Sequence, residues 1–434
     1  MIRHDNERVV SFILAGGEGK RLHPLTADRC KPAVPFGGRY RLIDFVLSNF
    51  VNSGLFKIKV LTQYKSSSLI LHLSQGWQLS AHLGHYIDVV PAQMRRGPQW
   101  FQGNADAVFQ NLNILADENP PHVAVFGSDH IYMMDISQML DHHIHKKADL
   151  TLAAIPVPLE QATSFGVLEV DSDGRIVGFE EKPEHPKSIP GQPDKALASM
   201  GNYIFETNAL LQVLHEDAQE DGAHDFGKSI IPKMISQGRP VYMCNFDQNQ
   251  VPGVEDGEIR YWRDVGTIDN FWEASMDLVS ITPTLNLYNR LWPMRTVNPP
   301  LPPAKFDFAD RENNRVGVAT NSLISEGCII SGGHVEKSIL SPNVRIHSYS
   351  TVIESVLFEG VEVGRHAQIR RAIIDKQAVI EPQVTIGYDA GEDRKKFTVT
   401  DSGIVVIPKG TLVTKDGPIP PPESSRAFKS PIRG

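Results

Sequence analysis

Apolar and polar positions follow two different rhythms along this chain. As far as about residue 280, apolar or β-branched runs bounded by polar and turn residues alternate with helical patterns, which predicts an α/β sheet with crossover helices. The runs at 9–15 (VVSFILA), 57–63 (KIKVLTQ), 122–129 (HVAVFGSD) and 150–157 (LTLAAIPV) read as parallel strands buried on both faces. Farther on the regularity is long-range. Val335, Val352, Ile369 and Ile386 stand 17 residues apart, and the same step relates Ile339, Val356 and Ile373; Leu340, Leu357 and Ile374; Val344, Val361 and Ala378; and Ile346, Val363 and Ile380. Several apolar positions per period are what a β-solenoid with three short sides per coil needs to stack its inward side chains.

Between the two regimes lies a proline-rich stretch, with NPPLPPAKF and then DRENNR, which supports extended backbone and resists regular packing. The division expected is a first domain over 1–285, a linker over 286–314 and a solenoid domain over 315–434. A chain of 434 residues, 41% hydrophobic and 22% charged, is long enough for two or three cores. Its formal net charge of -8 gives no electrostatic footprint for nucleic acid or an anionic membrane, so phosphate sites must be small local clusters. Three cysteines without paired spacing suit a reducing compartment and no structural zinc. The polar start and the lack of a long apolar stretch predict a cytoplasmic location.

The segment with the most chemistry is SFILAGGEGKR. An apolar run ends at Ala15 and breaks into Gly16, Gly17 and Gly19, then presents Lys20 and Arg21. That is a strand leading into a phosphate cradle, where backbone N–H groups approach phosphate oxygens and cations neutralise them. The spacing is neither G-x-G-x-x-G nor G-x-x-x-x-G-K-[ST], which argues against a dehydrogenase and an ordinary ATPase. In open parallel sheets ligands sit beyond the carboxyl ends of strands, so the glycine loop and Ser128-Asp129-His130 are expected to face one crevice.

A series of motifs in order carries a resemblance. AGGEGKRLHPLT is followed by Lys31-Pro32-Ala33-Val34, Pro91-Ala92-Gln93, Gly103-Asn104-Ala105-Asp106-Ala107, Ser128-Asp129-His130-Ile131-Tyr132, FEEKP, Ser199-Met200-Gly201, HDFGKSIIPKM, WRDVGT, NRLWPMRT and LPPAKF. Together these resemble the sugar-1-phosphate nucleotidyltransferases, and within them the bacterial ADP-glucose pyrophosphorylase family. The 17-residue period resembles the left-handed β-helix built from hexapeptide repeats. The resemblance implies a Rossmann-like nucleotidyltransferase domain with a mostly parallel mixed sheet, followed by a C-terminal left-handed parallel β-helix. It implies adenylyl transfer from ATP to glucose 1-phosphate, giving ADP-glucose and pyrophosphate for glycogen synthesis, by a homotetramer.

The same resemblance implies the site. Ala15, Gly16, Gly17, Gly19, Gln93 and Gly103 fall on the nucleotide, with Arg21 and Lys31 on its phosphates. Asp129 and Asp264 fall on Mg2+. Phe101, Gly166, Glu181, Lys182 and Ser199 fall on the sugar phosphate, Lys182 as the point charge on its phosphate. Phe101 stands where relatives often carry tyrosine, Asn104 where threonine is common and Ser128 where glycine is common. Asp28 occupies the place of a lysine used by enteric-type enzymes for a sugar-bisphosphate activator, a role a carboxylate cannot take over. Arg29, Arg39, Arg41 and the run Arg394, Lys395 and Lys396 remain as a possible site for phosphorylated metabolite effectors. His142, His143 and His145 read as a polar helix face, not a metal site. His334, His347 and His366 lie in or near the coils, where an acyltransferase would carry a catalytic histidine; solenoid corners are the plainer account. Within enzymes the runner-up is a UDP- or dTDP-glucose pyrophosphorylase. Outside them it is a catalytically silent regulatory subunit, against which Arg21, Lys31, Asp129, Lys182 and Asp264 all speak by their presence.

Overall fold

Alternation of apolar runs with polar breaks produces nine strands in one sheet: β1 (Val9–Ala15), β2 (Lys57–Thr62), β3 (Tyr86–Pro91), β4 (His122–Gly127), β5 (Leu150–Pro158), β6 (Gly166–Val170), β7 (Ile176–Glu181), β8 (Lys195–Glu206) and β9 (Val241–Asn245). This computed structural model describes residues 6–93, 99–255, 258 and 260–422. The strand order is β7-β6-β8-β4-β1-β2-β3, with β5 pairing β8 and β9. β3, β2, β1 and β4 run parallel, so Pro91, Thr62, Ala15 and Gly127 all end at one edge of the sheet. Three of the four predicted parallel strands are therefore as expected. The fourth, β5, is parallel to β9 and antiparallel to β8, which makes the sheet mixed.

These strands belong to one compact unit, made of 1–18, 43–262 and 288–295. One apolar cluster on the sheet gathers Val10, Phe12, Val123, Val125, Phe205 and Phe226, all nearly or fully buried. The helix Ile136–Lys146 turns His143 inward against β5, where its Nδ1 sits 2.9 Å from the Thr151 hydroxyl. Burial pushes the His143 imidazole down to about 3, with His122 and His142 adding to it. The folded chain thus binds fewer protons at His143 than the unfolded chain between pH 6.5 and about 3. Stability from this site is present above that window and is lost as the pH falls through it, by at most about 1.4 kcal/mol per pH unit. Replacing His143 with glutamine is expected to flatten the fall in urea midpoint between pH 7 and pH 5; an unchanged slope would remove His143 as its source.

The second compact unit is made of 19–42, 263–287 and 296–434. Its body is the predicted solenoid, a three-sided parallel β-helix of the left-handed hexapeptide type. Val335, Val352, Ile369 and Ile386 pair in register up one face. Ile339, Val356 and Ile373 do so on a second, and Ile346, Val363 and Ile380 on the third. All of these side chains are buried. The coiling starts earlier than the 17-residue rhythm shows: Lys305–Asp307 already pairs with Ile329–Ser331, and Val318 lies opposite His334, a step of 16. After Ile386 the helix Ala390–Lys396 interrupts the rhythm, and Ile373 next pairs with Val406. The coil histidines make coil-to-coil and local contacts: His347 Nε2 is 2.7 Å from Glu362, and His366 stacks on Tyr349.

Candidate active site

In the sheet unit, the loop after β1 carries Gly16 and Gly17, with the Gln63 Cβ 3.5 Å from where a side chain on Gly16 would begin. Gln63, just past β2, holds the next loop in place: its Oε1 accepts from the Phe101 N–H at 2.7 Å. Phe101 packs on the sheet's apolar cluster, so ring packing replaces any hydroxyl contact there. Gly103 has no room for a side chain, since a Cβ would lie 2.2 Å from the His224 carbonyl oxygen. The same carbonyl accepts from Ala105 N–H at 2.9 Å, and Asn104 Oδ1 accepts from Phe226 N–H at 2.7 Å. The Gly103 loop is thereby joined to the HDFGK turn. Gln93 lies exposed just past β3.

Asp129 follows β4 at the same sheet edge. The preceding Ser128 hydroxyl donates to Leu14 O at 2.6 Å, a tie to β1 that a glycine in that place cannot make. Asp129 is about one-third exposed, with His130 Nε2 at 3.8 Å.

On the other half of the sheet, Glu181 ends β7 directly opposite Gly166 at the start of β6. Lys182 takes a left-handed backbone (φ 51°), uncommon for a side chain of its size, and its N–H donates to Phe165 O at 3.0 Å. That turn brings its Nζ to 3.5 Å from Glu181 Oε1. Burial pushes the Glu181 carboxyl up; Lys182 pulls it down and Asp225 pushes it up again. Asp225 caps the turn Phe226–Ile230 by accepting from Lys228 N–H at 3.0 Å. Gly227 lies against Glu181: a Cβ there would be 2.6 Å from Glu181 Oε2. Ser199 is buried on β8, its hydroxyl 3.3 Å from Gly201 N. The expected sugar-side residues Gly166, Glu181 and Lys182 therefore form one group. Asp225 and Gln63 are additions: HDFGK carries the helix-capping signature, and Gln63 ends an obvious strand, yet neither sequence feature states a role.

The solenoid-bearing unit holds a second group. Gly19 adopts φ 68°, and a Cβ on it would lie 2.8 Å from Lys31 Cβ. Of the loop glycines it is the one whose conformation and neighbours exclude a side chain. Thr26 Oγ1 donates to Gly19 O at 3.0 Å, closing the segment on itself. Lys31, buried at the head of the turn Lys31–Ala33, places its Nζ 3.0 Å from Asp264 Oδ1. Arg21, mostly exposed, has Nη2 3.8 Å from Asp264 Oδ2. Asp264 is followed by Gly266 beneath its carboxylate and by Thr267, which caps the helix Ile268–Leu278. A carboxylate beside one buried and one exposed cation is an arrangement suited to holding anionic phosphates and a counter-charge together.

The six cations expected at an effector site are differently placed. Arg29 is buried and paired with Asp375 at 2.9 Å. Arg39 pairs with Glu326 at 2.8 Å. Burial works against the Glu359 carboxylate, but Lys376 at 2.7 Å, with Arg41 and Arg29 behind it, holds its pKa below the ordinary value. Burial pushes the Lys376 ammonium down while Glu359 opposes it. Arg394, Lys395 and Lys396 end the helix Ala390–Lys396, with Lys395 on Glu392 and Lys396 on Lys415 O.

With a mixed sheet ending in a glycine loop and a partly exposed aspartate, and with a hexapeptide solenoid following it in sequence, the chain belongs to the nucleotidyl transferase family. The model of that family matches residues 10–280, and that of the GlmU-like C-terminal hexapeptide matches residues 302–407. The relatives narrow the class. The chain is 58% identical over 408 residues, 94% of its length and 99% of the relative's, to the glucose-1-phosphate adenylyltransferase of Anaeromyxobacter sp. (strain Fw109-5). It is 53% identical over 406 residues to that of Aliivibrio fischeri (strain MJ11), covering 93% of this chain and 99% of the relative. Among the described residues no helix is long and apolar enough to cross a membrane.

Proposed function

We propose that this protein transfers the adenylyl group of ATP to α-D-glucose 1-phosphate, releasing pyrophosphate and forming ADP-glucose for glycogen synthesis. The observation that carries the reading is the buried Lys31 ammonium fixed 3.0 Å from Asp264, within a chain of which 94% is matched by a named glucose-1-phosphate adenylyltransferase. A phosphate oxygen of the sugar ester attacks the α-phosphorus in line, the new P–O bond forms, and the bond to the pyrophosphate bridging oxygen breaks. No proton need move, so positioning and electrostatics supply the acceleration. Lys31 and Arg21 meet the charge that grows on the leaving pyrophosphate. The glycine loop offers its N–H groups to the triphosphate, and Gln93 and Gly103 flank the base. Lys182 binds the sugar phosphate, with Glu181, Gly166 and Ser199 toward the hexose and Phe101 assigned to the same substrate.

Mg2+ is the proposed metal, and the carboxylates of Asp129 and Asp264 are the hard oxygen donors it prefers. Bound, it neutralises phosphate charge. Asp129 fits the role because the Ser128 tie to Leu14 fixes its backbone while its side chain stays partly open. We also propose a cytoplasmic homotetramer regulated by phosphorylated metabolites. Its cysteines are all unpaired, which accords with a reducing compartment. Arg29, Arg39, Arg41 and the Arg394–Lys396 run are the cations offered to effectors.

Pyrophosphate release measured with glucose 1-phosphate and each of ATP, UTP, dTTP and CTP is expected to be fastest with ATP. A faster rate with UTP or dTTP overturns the adenylyl assignment, and no turnover with any of them overturns the enzyme reading.

A further inference from the structure

We infer that Asp375, on the solenoid, is a positioning residue for Lys31, acting through a buried ion pair with Arg29. This rests on the reading of Lys31 as a catalytic cation. The Arg29 side chain is 5% exposed and that of Asp375 2% exposed, with Nη2 and Oδ1 2.9 Å apart. Ion pairs buried this deeply seldom add net stability over an apolar replacement, so geometry is the better account of why one stands here. Both groups are further tied. Arg29 Nη1 donates to Leu25 O at 3.2 Å, and Asp375 Oδ1 also accepts from the Lys376 N–H at 2.6 Å.

The pair clamps one end of a short closed segment. At the other end Thr26 holds the Gly19 carbonyl, and the Lys31 side chain lies across Gly19. Lys31 is two residues beyond Arg29, separated by a fully buried Cys30. Its ammonium therefore has its root fixed by the solenoid coil Ala372–Ile374, whose Ile373 and Ile374 are themselves fully buried. Arg29 is in this way a strut between Asp375 and the Lys31 segment.

The test is a double-mutant cycle in the full-length protein, read by pyrophosphate release. Asp375→Asn is expected to lower kcat about tenfold, as a small misplacement of a reacting charge does, with the KM for glucose 1-phosphate within about twofold of wild type. In a Lys31→Ala background, itself well over tenfold slower, the same substitution is expected to change kcat by less than about twofold, because its effect passes through the missing ammonium. An equal loss in both backgrounds, or a change in KM alone, overturns the positioning role. A Lys31→Ala enzyme with wild-type turnover instead overturns the reading of Lys31 and removes the basis for the strut. Should Asp375→Asn fail to give a folded protein by circular dichroism, Arg29→Lys, which keeps the charge and shortens the reach, takes its place in the cycle with the same expectations.

Discussion

Asp129→Asn is expected to reduce kcat by about three orders of magnitude while leaving the circular dichroism spectrum and the unfolding temperature unchanged. The substitution is isosteric and takes away one negative charge. The fold should not notice it, because the loop is held by the Ser128 hydroxyl on Leu14 O and by the β4 to β1 pairing, neither of which uses the Asp129 carboxylate. The chemistry should. An amide oxygen is a weak ligand for a hard divalent ion, and loss of a metal's charge stabilisation at a phosphoryl centre is worth several kcal/mol, with each 1.4 kcal/mol a factor of ten. A Mg2+ titration of residual activity should also show half-saturation moved to higher concentration. Turnover within threefold of wild type, at any Mg2+ level, would take Asp129 out of the metal site.

What could be read from the chain and what could not divides along physical lines. Parallel strands buried on both faces are continuous apolar runs, so β1 and β4 were visible from the pattern alone, while β2 shows such a run only after half-buried Lys57 and Lys59. The antiparallel partner of β5 was not, because pairing direction leaves no mark on one strand. The solenoid was legible wherever coils kept the 17-residue step. Its first pairings, with steps of 24 from Lys305 to Ile329 and 16 from Val318 to His334, and the coil after the helix Ala390–Lys396 fell out of phase and were invisible to a fixed period. Three glycines suggested a loop that bends tightly into a phosphate cradle. Geometry demands only Gly19, at φ 68° and against Lys31, while a side chain on Gly17 would meet open space.

Long-range charge pairing was the least legible. Nothing local to Arg29 announces a partner 346 residues away, nor does Lys31 announce one 233 residues away. As a result Arg29 read only as one more basic residue available to an effector, and its buried pair with Asp375 went unseen. The departures from the family pattern have physical answers that only coordinates supply. Ser128 uses its hydroxyl as a tie, Asn104 uses its carbonyl oxygen to accept from Phe226 N–H in the HDFGK turn, and Asp28 is exposed, where its carboxylate offers a phosphate no cation.

Lys182→Ala is expected to raise the KM for glucose 1-phosphate by two to three orders of magnitude and to leave the KM for ATP within about threefold. The asymmetry follows from where the charge sits. Lys182 leaves β7 in a left-handed turn that carries its ammonium back to Glu181, beside Gly166 and the Asp225 turn, and 57% of its side chain is exposed and able to reach a ligand. Truncating one partner of a close charge pair costs about 2–5 kcal/mol when the other partner is left uncompensated. Here the uncompensated groups are the sugar phosphate and the Glu181 carboxylate, whose pKa burial already pushes up. Alanine makes the same demand on the left-handed backbone as lysine does, so the turn is not relieved by the change and the fold is expected to persist. Lys182→Arg keeps the charge but replaces a compact ammonium with a planar fork, and should recover only part of the loss. Equal increases in both KM values would show that the ammonium serves the triphosphate as much as the hexose ester, and the division of cations between the two substrates would fail.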